Sequence, residues 1–206
     1  MHFDSKAKNW DTDINKIKRA SIFAKEITDF IQPKKSATAL EFGCGTGLLS
    51  FELKDAFNSI TLVDNSVGMI DVLKEKIEKH KIKNFNPLTI NLLEDKFNLK
   101  SVDVIYTLMT LHHINDLDAI FKIFNTLLNT NGYLCIADLV KEDGSFHPKE
   151  MNFDGHTGFD KDKLSSILLK NGFKIKYYTI CYEVEKVRKN QLKKYPLFLL
   201  IAKKVA

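Results

Sequence analysis

Seven residues, Glu41-Phe-Gly-Cys-Gly-Thr-Gly47, constrain this chain more than any others. They directly follow a short apolar run, Ala37 to Leu40, and directly precede a helical pattern of Leu48, Leu49, Phe51 and Leu53. Glycines at the end of a strand let the backbone turn sharply and approach a ligand with no Cβ in the way. Their spacing narrows the ligand. A dinucleotide fingerprint of the form Gly-x-Gly-x-x-Gly needs its third glycine at position 48, where leucine stands. No Gly-Lys-Ser/Thr follows, which excludes the phosphate cradle of nucleoside triphosphatases. What remains is acidic-x-Gly-x-Gly-x-Gly.

A second apolar run, Ser59-Ile-Thr-Leu-Val63, reads as a strand ending on Asp64, with Asn65, Ser66 and a new helix after it. Asp64 lies 21 residues past Gly43, about where a doubly wound fold places an acid at the tip of its second strand. A carboxylate there accepts charge-assisted hydrogen bonds from both ribose hydroxyls of a nucleoside. Such an acid suits NAD equally well; the glycine spacing decides against it.

Periodicity extends this into an alternation of strands and helices. Ile17, Ala20, Ala24, Ile27 and Ile31 follow helical spacing up to Pro33. Strands are expected at about 37–42, 59–63, 87–93, 102–107 and 133–138, with helices at about 47–56, from Ser66 as N-cap, and over Leu117–Leu128. Asn131-Gly132 reads as a turn. Residues 141–158, with four Gly or Pro, read as an irregular substrate-side loop. A helix at about 160–170 ends at Asn171-Gly172, and strands at about 173–184 and 195–204 are close enough to pair antiparallel. The pattern predicts a doubly wound α/β fold, a mostly parallel sheet with helices on both faces.

Composition bounds the partners. The 206 residues are 44% hydrophobic and show no repeat or boundary, so 1–206 reads as a single domain with one sizeable core. The longest apolar tract, Leu197 to Ala202, is strand length, far below a membrane span. Without an apolar signal region the chain is expected in the cytoplasm. Cys44, Cys135 and Cys181 are an odd count without metal-ligand spacing, expected as reduced thiols. The net charge of +5 could suggest nucleic acid, yet only Arg19 and Arg188 among 31 basic residues are arginine, and the lysines are scattered. Nucleic-acid readers concentrate arginine forks and stacking aromatics, so the balance argues against that partner. The densest cluster, Lys186 to Lys194, is expected as a solvated loop. Oligomeric state is left open.

Several stretches together resemble the class I S-adenosylmethionine-dependent methyltransferases, closest to small type 11/12-like members of uncharacterised substrate. They are Phe3-Asp4 and Trp10-Asp11; Glu41 to Gly47, which resembles motif I; Asp64-Asn-Ser-Val-Gly-Met69; Leu111-His-His-Ile114; and Asn131-Gly132. Glu142-Asp-Gly-Ser-Phe-His147 and His156-Thr-Gly-Phe159 resemble a narrower subgroup. The resemblance covers nearly the whole chain and implies seven strands ending in an antiparallel pair, with S-adenosylmethionine as cofactor and S-adenosylhomocysteine as product.

Ligands of open parallel sheets sit outside the carboxyl ends of the strands, here residues 41–47, 64–69, 91–95, 107–113 and 138–147. The resemblance implies that Gly43, Gly45 and Gly47 pass under the methionine part of the cofactor, with Glu41 a partner for its ammonium, directly or through water. Asp64 and Asn65 hold the ribose side. Met69 covers an adenine face, or is plain core. Asn91 or Asp95 stands where family members place an acid near the adenine, with Leu92 between them, and Thr107 ends strand four. Phe3 and Trp10, within 1–12, form an N-terminal lid, or a docked terminus.

His112 and His113 follow strand four, where neutral imidazole can take a proton from a nucleophile; His113 is the favoured of the two, with a structural role the alternative. His147 and His156, with Asp138, Glu142 and Asp143, form a second polar set around the irregular loop. His147, His156 and Asp138 are assigned to substrate, with loop capping the alternative; the set lacks fixed ligand spacing for a metal, so no metal ligands are assigned. The expected reaction is direct displacement of the methyl group onto a small-molecule acceptor, in which the protein mainly aligns the nucleophile and excludes water. Tyr106-Thr-Leu-Met109 lacks the Asn/Asp-Pro-Pro-aromatic motif of amino-group methylation on adenine or glutamine, and no Pro-Cys pair supplies a cytosine-C5 nucleophile. The alternatives are an RNA or protein methyltransferase and a catalytically silent cofactor-binding protein.

Overall fold

A computed structural model of the chain describes residues 3–147, 153–188 and 190–205. Seven strands, β1 (Thr38–Phe42), β2 (Ser59–Asp64), β3 (Phe85–Thr89), β4 (Val102–Leu108), β5 (Leu128–Leu139), β6 (Phe173–Arg188) and β7 (Gln191–Lys204), form one sheet. Their order is β3-β2-β1-β4-β5-β7-β6. The first five are parallel, while β7 runs antiparallel to both β5 and β6. The expected doubly wound α/β sheet with its C-terminal antiparallel pair is therefore present.

Strand residues point alternately to the two faces, and this alternation builds two apolar layers. Leu197, Leu199 and Ile201 of β7 join one layer, whereas Phe198, Leu200 and Ala202 join the other. That is why the longest apolar run of the sequence is a strand buried on both sides. Helices α1 (Ile14–Ile31), α2 (Leu48–Leu53) and α3 (Val67–Lys79) cover the first layer with Phe23, Ile27, Leu49, Leu53, Ile70 and Leu73. Helices α4 (Leu117–Leu127) and α5 (Lys161–Lys170) cover the second. In α4, Asp116 caps the first turn by accepting the Ala119 amide at 2.8 Å, and Leu117, Ile120, Phe121, Phe124 and Leu127 are buried. At ~1.5–3 kcal/mol for each large apolar side chain, that face contributes on the order of ten kcal/mol before ordering entropy. None of these helices is long and apolar enough to cross a membrane.

Three expectations need correction. Strand three lies at Phe85–Thr89 rather than 87–93, because its register runs from Ile60↔Phe85 to Asp64↔Thr89. Pro87 is tolerated because β3 is a sheet edge, and the Asp95 carboxylate takes the Asn91 amide at 2.8 Å, turning the chain away. The turn expected at Asn131-Gly132 is instead an irregularity inside β5: Asn131 keeps a left-handed φ of 66°, while pairing skips from Val102↔Leu128 to Val104↔Tyr133. The basic cluster is not a solvated loop. Pairing of β6 with β7 continues to Arg188↔Gln191, so Lys186 to Lys194 is the end of a long hairpin; Lys189 lies outside the described residues. Lysine on an edge strand interrupts the apolar alternation that reveals strands in sequence.

Residues 141–147 and 153–158 have the expected irregular backbone; 148–152 lie outside the described residues. The two pieces are stapled together, with Glu142 N–H donating to Thr157 O and Lys141 N–H to Phe159 O, both at 2.9 Å.

The chain leaves β1 for β2 on one side and returns to β4 on the other. This reversal opens a crevice at the carboxyl ends of β1 and β4, the position at which open α/β sheets take ligands.

Candidate functional site

The glycine loop is shaped by its neighbours. Gly43 and Cys44 both donate to Val63 O, at 2.8 and 3.1 Å, carrying β1 one step past its last strand pair. Gly43 has φ 67°, and a Cβ there would lie 2.1 Å from Thr110 Cγ2, so only glycine lets this loop meet the segment after β4. Asp64 holds the next residue: its Oδ2 accepts the Gly45 amide at 2.8 Å, and its Oδ1 the Ser66 amide at 2.9 Å. Burial raises the Asp64 carboxyl above its ordinary value, against the amides that stabilise its charge.

Glu41, one residue before the end of β1, is almost fully enclosed. It accepts a hydrogen bond from Ser50, whose hydroxyl is 2.7 Å from Tyr106 OH. Burial pushes its carboxyl up to about 8, opposed by the Ser50 hydrogen bond and reinforced by Asp64. At neutral pH it is largely protonated, and a cation placed beside it would restore its charge.

An N-terminal 3₁₀ helix, Asp4–Thr12, closes this side. Asp4 Oδ1 accepts from Ser66 Oγ at 2.6 Å and from Gly68 N–H at 2.9 Å. These bonds, Ser66 first, lower the Asp4 carboxyl to about 2. Asp11 accepts from Thr46 and Lys76, and Lys76 Nζ also donates to Thr46 O at 2.7 Å. The helix is thus bolted to the glycine loop and to the start of α3. Its aromatic residues reach across the crevice, with Phe3 5.4 Å from His113 and Lys16 Nζ 3.9 Å over Trp10.

Histidines build the opposite side. A short 3₁₀ turn, Leu111–His113, follows β4. His112 is buried, its Nδ1 2.7 Å from Asp138 Oδ1, and its amide donates to Asp138 Oδ2 at 3.2 Å. The ring centroids of His112, His113 and His147 lie 4.2 to 5.5 Å apart. One ring nitrogen of each is within 4.8 Å of the other two, so the fold assembles three imidazoles capable of sharing a cation. Burial, helped by His112, lowers His147 to about 4, and its enclosed Nε2 has no partner among the described residues.

One cleft of about 970 Å³ connects the two sides, lined by Glu41, Gly43, Gly45, Asp64, Asn65, Met69, Asn91, Trp10, His112, His113 and His147. The volume is near the top of the roughly 300–1,000 Å³ range of small-molecule sites. The remaining candidates stand outside its lining. Gly47, at φ 80°, turns the loop into α2, and Leu92 belongs to the second apolar layer. Thr107 is buried in β4 with its hydroxyl unpaired among the described residues. Asp138 orients His112 from behind, and His156 Nε2 lies 2.9 Å from Ile114 O, within the loop scaffold. Of the pair Asn91 and Asp95, Asn91 lines the cleft. The three cysteines are free thiols, and burial raises Cys44, which lines the cleft, well above the ordinary thiol range.

Sequence reasoning missed Lys16, Arg19, Lys186 and Arg188, which also line the cleft. Lys186 Nζ donates to Phe146 O at 3.0 Å, and Arg188 donates through Nε to Ser145 O and through Nη2 to Phe146 O, both at 2.7 Å. The hairpin end thereby holds the residues that carry His147. No spacing in the sequence relates these residues, and only the fold brings the chain's two arginines to one cleft.

A family model described as a methyltransferase domain matches residues 33–189. The chain is 32% identical over 152 residues to an uncharacterised methyltransferase of Schizosaccharomyces pombe, covering 67% of this chain and 53% of that protein. It is 35% identical over 111 residues to a ubiquinone biosynthesis O-methyltransferase of Pelagibacter ubique, covering 53% and 45%. The chain thus spans about half the length of these two curated relatives. In fold it is similar to a SAM-dependent methyltransferase from Aquifex aeolicus, with TM-score 0.70, 19% identity and 98% of both chains covered. The family match extends over more than half of the sequence, and the chain belongs to the class I S-adenosylmethionine-dependent methyltransferases.

Proposed function

We propose that this chain binds S-adenosylmethionine across residues 41–47 and Asp64 and transfers its methyl group to a small-molecule acceptor on the histidine side of the cleft. The observation that carries this reading is a single cavity joining the glycine loop and Asp64 to His112, His113 and His147. When bound, the cofactor supplies a methyl carbon already electrophilic through its sulfonium.

The residues present fit that group. A Cβ built on Gly45 would meet nothing within 4 Å except Met69 Sδ at 3.9 Å, so the glycine leaves space at the cleft wall. Asp64 spends one lone pair of each oxygen on an amide and keeps others for ribose hydroxyls. Glu41 offers the counter-charge for an ammonium, while Asn65, Met69 and Asn91 are assigned to the nucleoside. Trp10 and Phe3, anchored through Asp4 and Asp11, exclude water. His113 is assigned to accept a proton where the acceptor's nucleophile carries one.

Isothermal titration with S-adenosylhomocysteine and with NAD tests the reading. S-adenosylhomocysteine should bind one per chain, and Asp64→Ala should weaken it. Stronger binding of NAD would overturn the proposal.

A further inference from the structure

The acceptor half of the cleft carries more positive charge than its neighbours neutralise. Arg19 makes no hydrogen bond or ion pair with any described residue, and its enclosed Nε is an N–H donor without an acceptor. A buried donor left unsatisfied is costly unless something supplies the missing partner. Lys186 and Arg188 donate to the carbonyls of Ser145 and Phe146, and neither forms an ion pair with a carboxylate among the described residues. Carboxylates nearby offset this charge only in part and from a distance, Asp13 and Asp138 acting on Arg19 and Glu142 on Lys186 without a direct ion pair. Asp13 pairs with Lys16 at 3.3 Å, Glu185 lies 3.5 Å from Lys194, and Glu142 accepts the Ser145 and Phe146 amides. Burial and the repulsion of Arg188 and Arg19 hold Lys186 down at about 8, which agrees with an unbalanced cluster.

Three buried side-chain polar atoms lack partners among the described residues: Arg19 Nε, Thr107 Oγ1 and His147 Nε2. Arg19 and His147 line the same cleft. A chain that otherwise uses lysine for its positive charge also places both arginines there. Arginine presents a rigid planar fork suited to carboxylate and phosphate, which a lysine ammonium does not.

We propose that the methyl acceptor carries an oxyanion, a carboxylate or a phosphate, received by the Arg19 guanidinium with support from Lys186 and the His147 imidazole. This rests on the reading of the cleft as a methyltransferase site and names the substrate class. The oxyanion is a handle rather than the methylated atom, because a guanidinium bonded to an oxygen draws electron density from it and weakens it as a nucleophile. Arg188 is a positioning residue that fixes Ser145 to His147. Phe146, Tyr182 and Val184 line the same region and give the handle an apolar or aromatic body to sit beside.

The test uses the full chain saturated with S-adenosylhomocysteine and three probes of similar shape: benzoate, phenyl phosphate and neutral benzamide. Titration calorimetry or ligand-observed NMR should show benzoate or phenyl phosphate binding at least about tenfold more tightly than benzamide, and the better anion identifies the handle. Arg19→Met should remove that preference and at the same time raise the melting temperature of the ligand-free protein, since it deletes an unpaired charge; a merely structural arginine would give a lower one. If Arg19→Met does not fold, Lys186→Gln and Arg19→Lys carry the same comparison. Benzamide binding as tightly as both anions, or undiminished benzoate binding in Arg19→Met, would overturn the proposal. So would stoichiometric Zn²⁺ binding at the three histidines that abolishes benzoate binding. Failure of S-adenosylhomocysteine to bind would instead refute the cofactor assignment, while anion preference is still read without it.

Discussion

Replacing Glu41 by glutamine isolates one buried proton. The carboxyl titrates near 4.5 when unperturbed and is pushed up to about 8 in the fold. A raised carboxyl favours the folded state fully below 4.5, and that contribution is lost as pH rises through 8, because the unfolded chain releases the proton first. Within that window each pH unit lowers stability by up to about 1.4 kcal/mol. Between about pH 5.5 and about pH 7.5 the loss sums to roughly 2.5 kcal/mol. Glutamine is neutral throughout, so urea unfolding of wild type minus Glu41→Gln should show that fall, while other titrating groups cancel in the difference. The variant should be the more stable protein at the upper pH and the weaker binder of S-adenosylhomocysteine, having lost the counter-charge to the ammonium. Cofactor binding to wild type near neutral pH should release a proton, visible as a dependence of calorimetric enthalpy on the buffer. Parallel pH profiles for the two proteins would refute the reasoning, since they would mean that Glu41 is ionised in the fold despite its burial.

Asp64→Ala should weaken S-adenosylhomocysteine by roughly 1.5–3 kcal/mol, read by titration calorimetry; unchanged affinity would remove Asp64 from the ribose. Gly43→Ala and Gly45→Ala should differ in kind. The first forces a Cβ into Thr110 and should lose clearly more stability than the roughly 1–2 kcal/mol of a left-handed alanine alone. The second meets open space, so thermal unfolding should show only that smaller loss while cofactor binding suffers more. Asp138→Ala leaves the His112 ring and amide and the Leu139 amide without their acceptor, and denaturant unfolding should register a loss of about 3–5 kcal/mol. Trp10→Ala should speed release of S-adenosylhomocysteine in stopped flow without changing the fold, and an unaltered dissociation rate would rule out closure by the N-terminal helix.

Much of the site was legible because its chemistry is local. Gly43, Gly45 and Asp64 declare themselves by spacing after apolar runs, and Ser66 caps α3 as read, accepting the Met69 amide at 3.2 Å. Strand β7 was visible as an unbroken apolar run. Strand β3 lies earlier than its apolar pattern predicts because its register is set by β2. The far end of the β6–β7 hairpin resembles a loop in sequence because its lysines mask the alternation, although pairing continues to Arg188↔Gln191.

What the sequence alone determined is the order of strands and helices and the glycine-loop side of the cleft, since periodicity and a strand–glycine loop–helix unit are properties of adjacent residues. The histidine side of the cleft was decided by tertiary structure. His112 and His113 share the turn after β4 while His147 comes from the loop after β5, Asp138 acts from within β5, and Arg19 on α1 shares a cleft with Lys186 and Arg188 of the hairpin only when the sheet is complete. Charges so distant in sequence carry no spacing by which to be recognised, and only folding into one low-dielectric cleft makes their imbalance costly enough to call for an anionic partner.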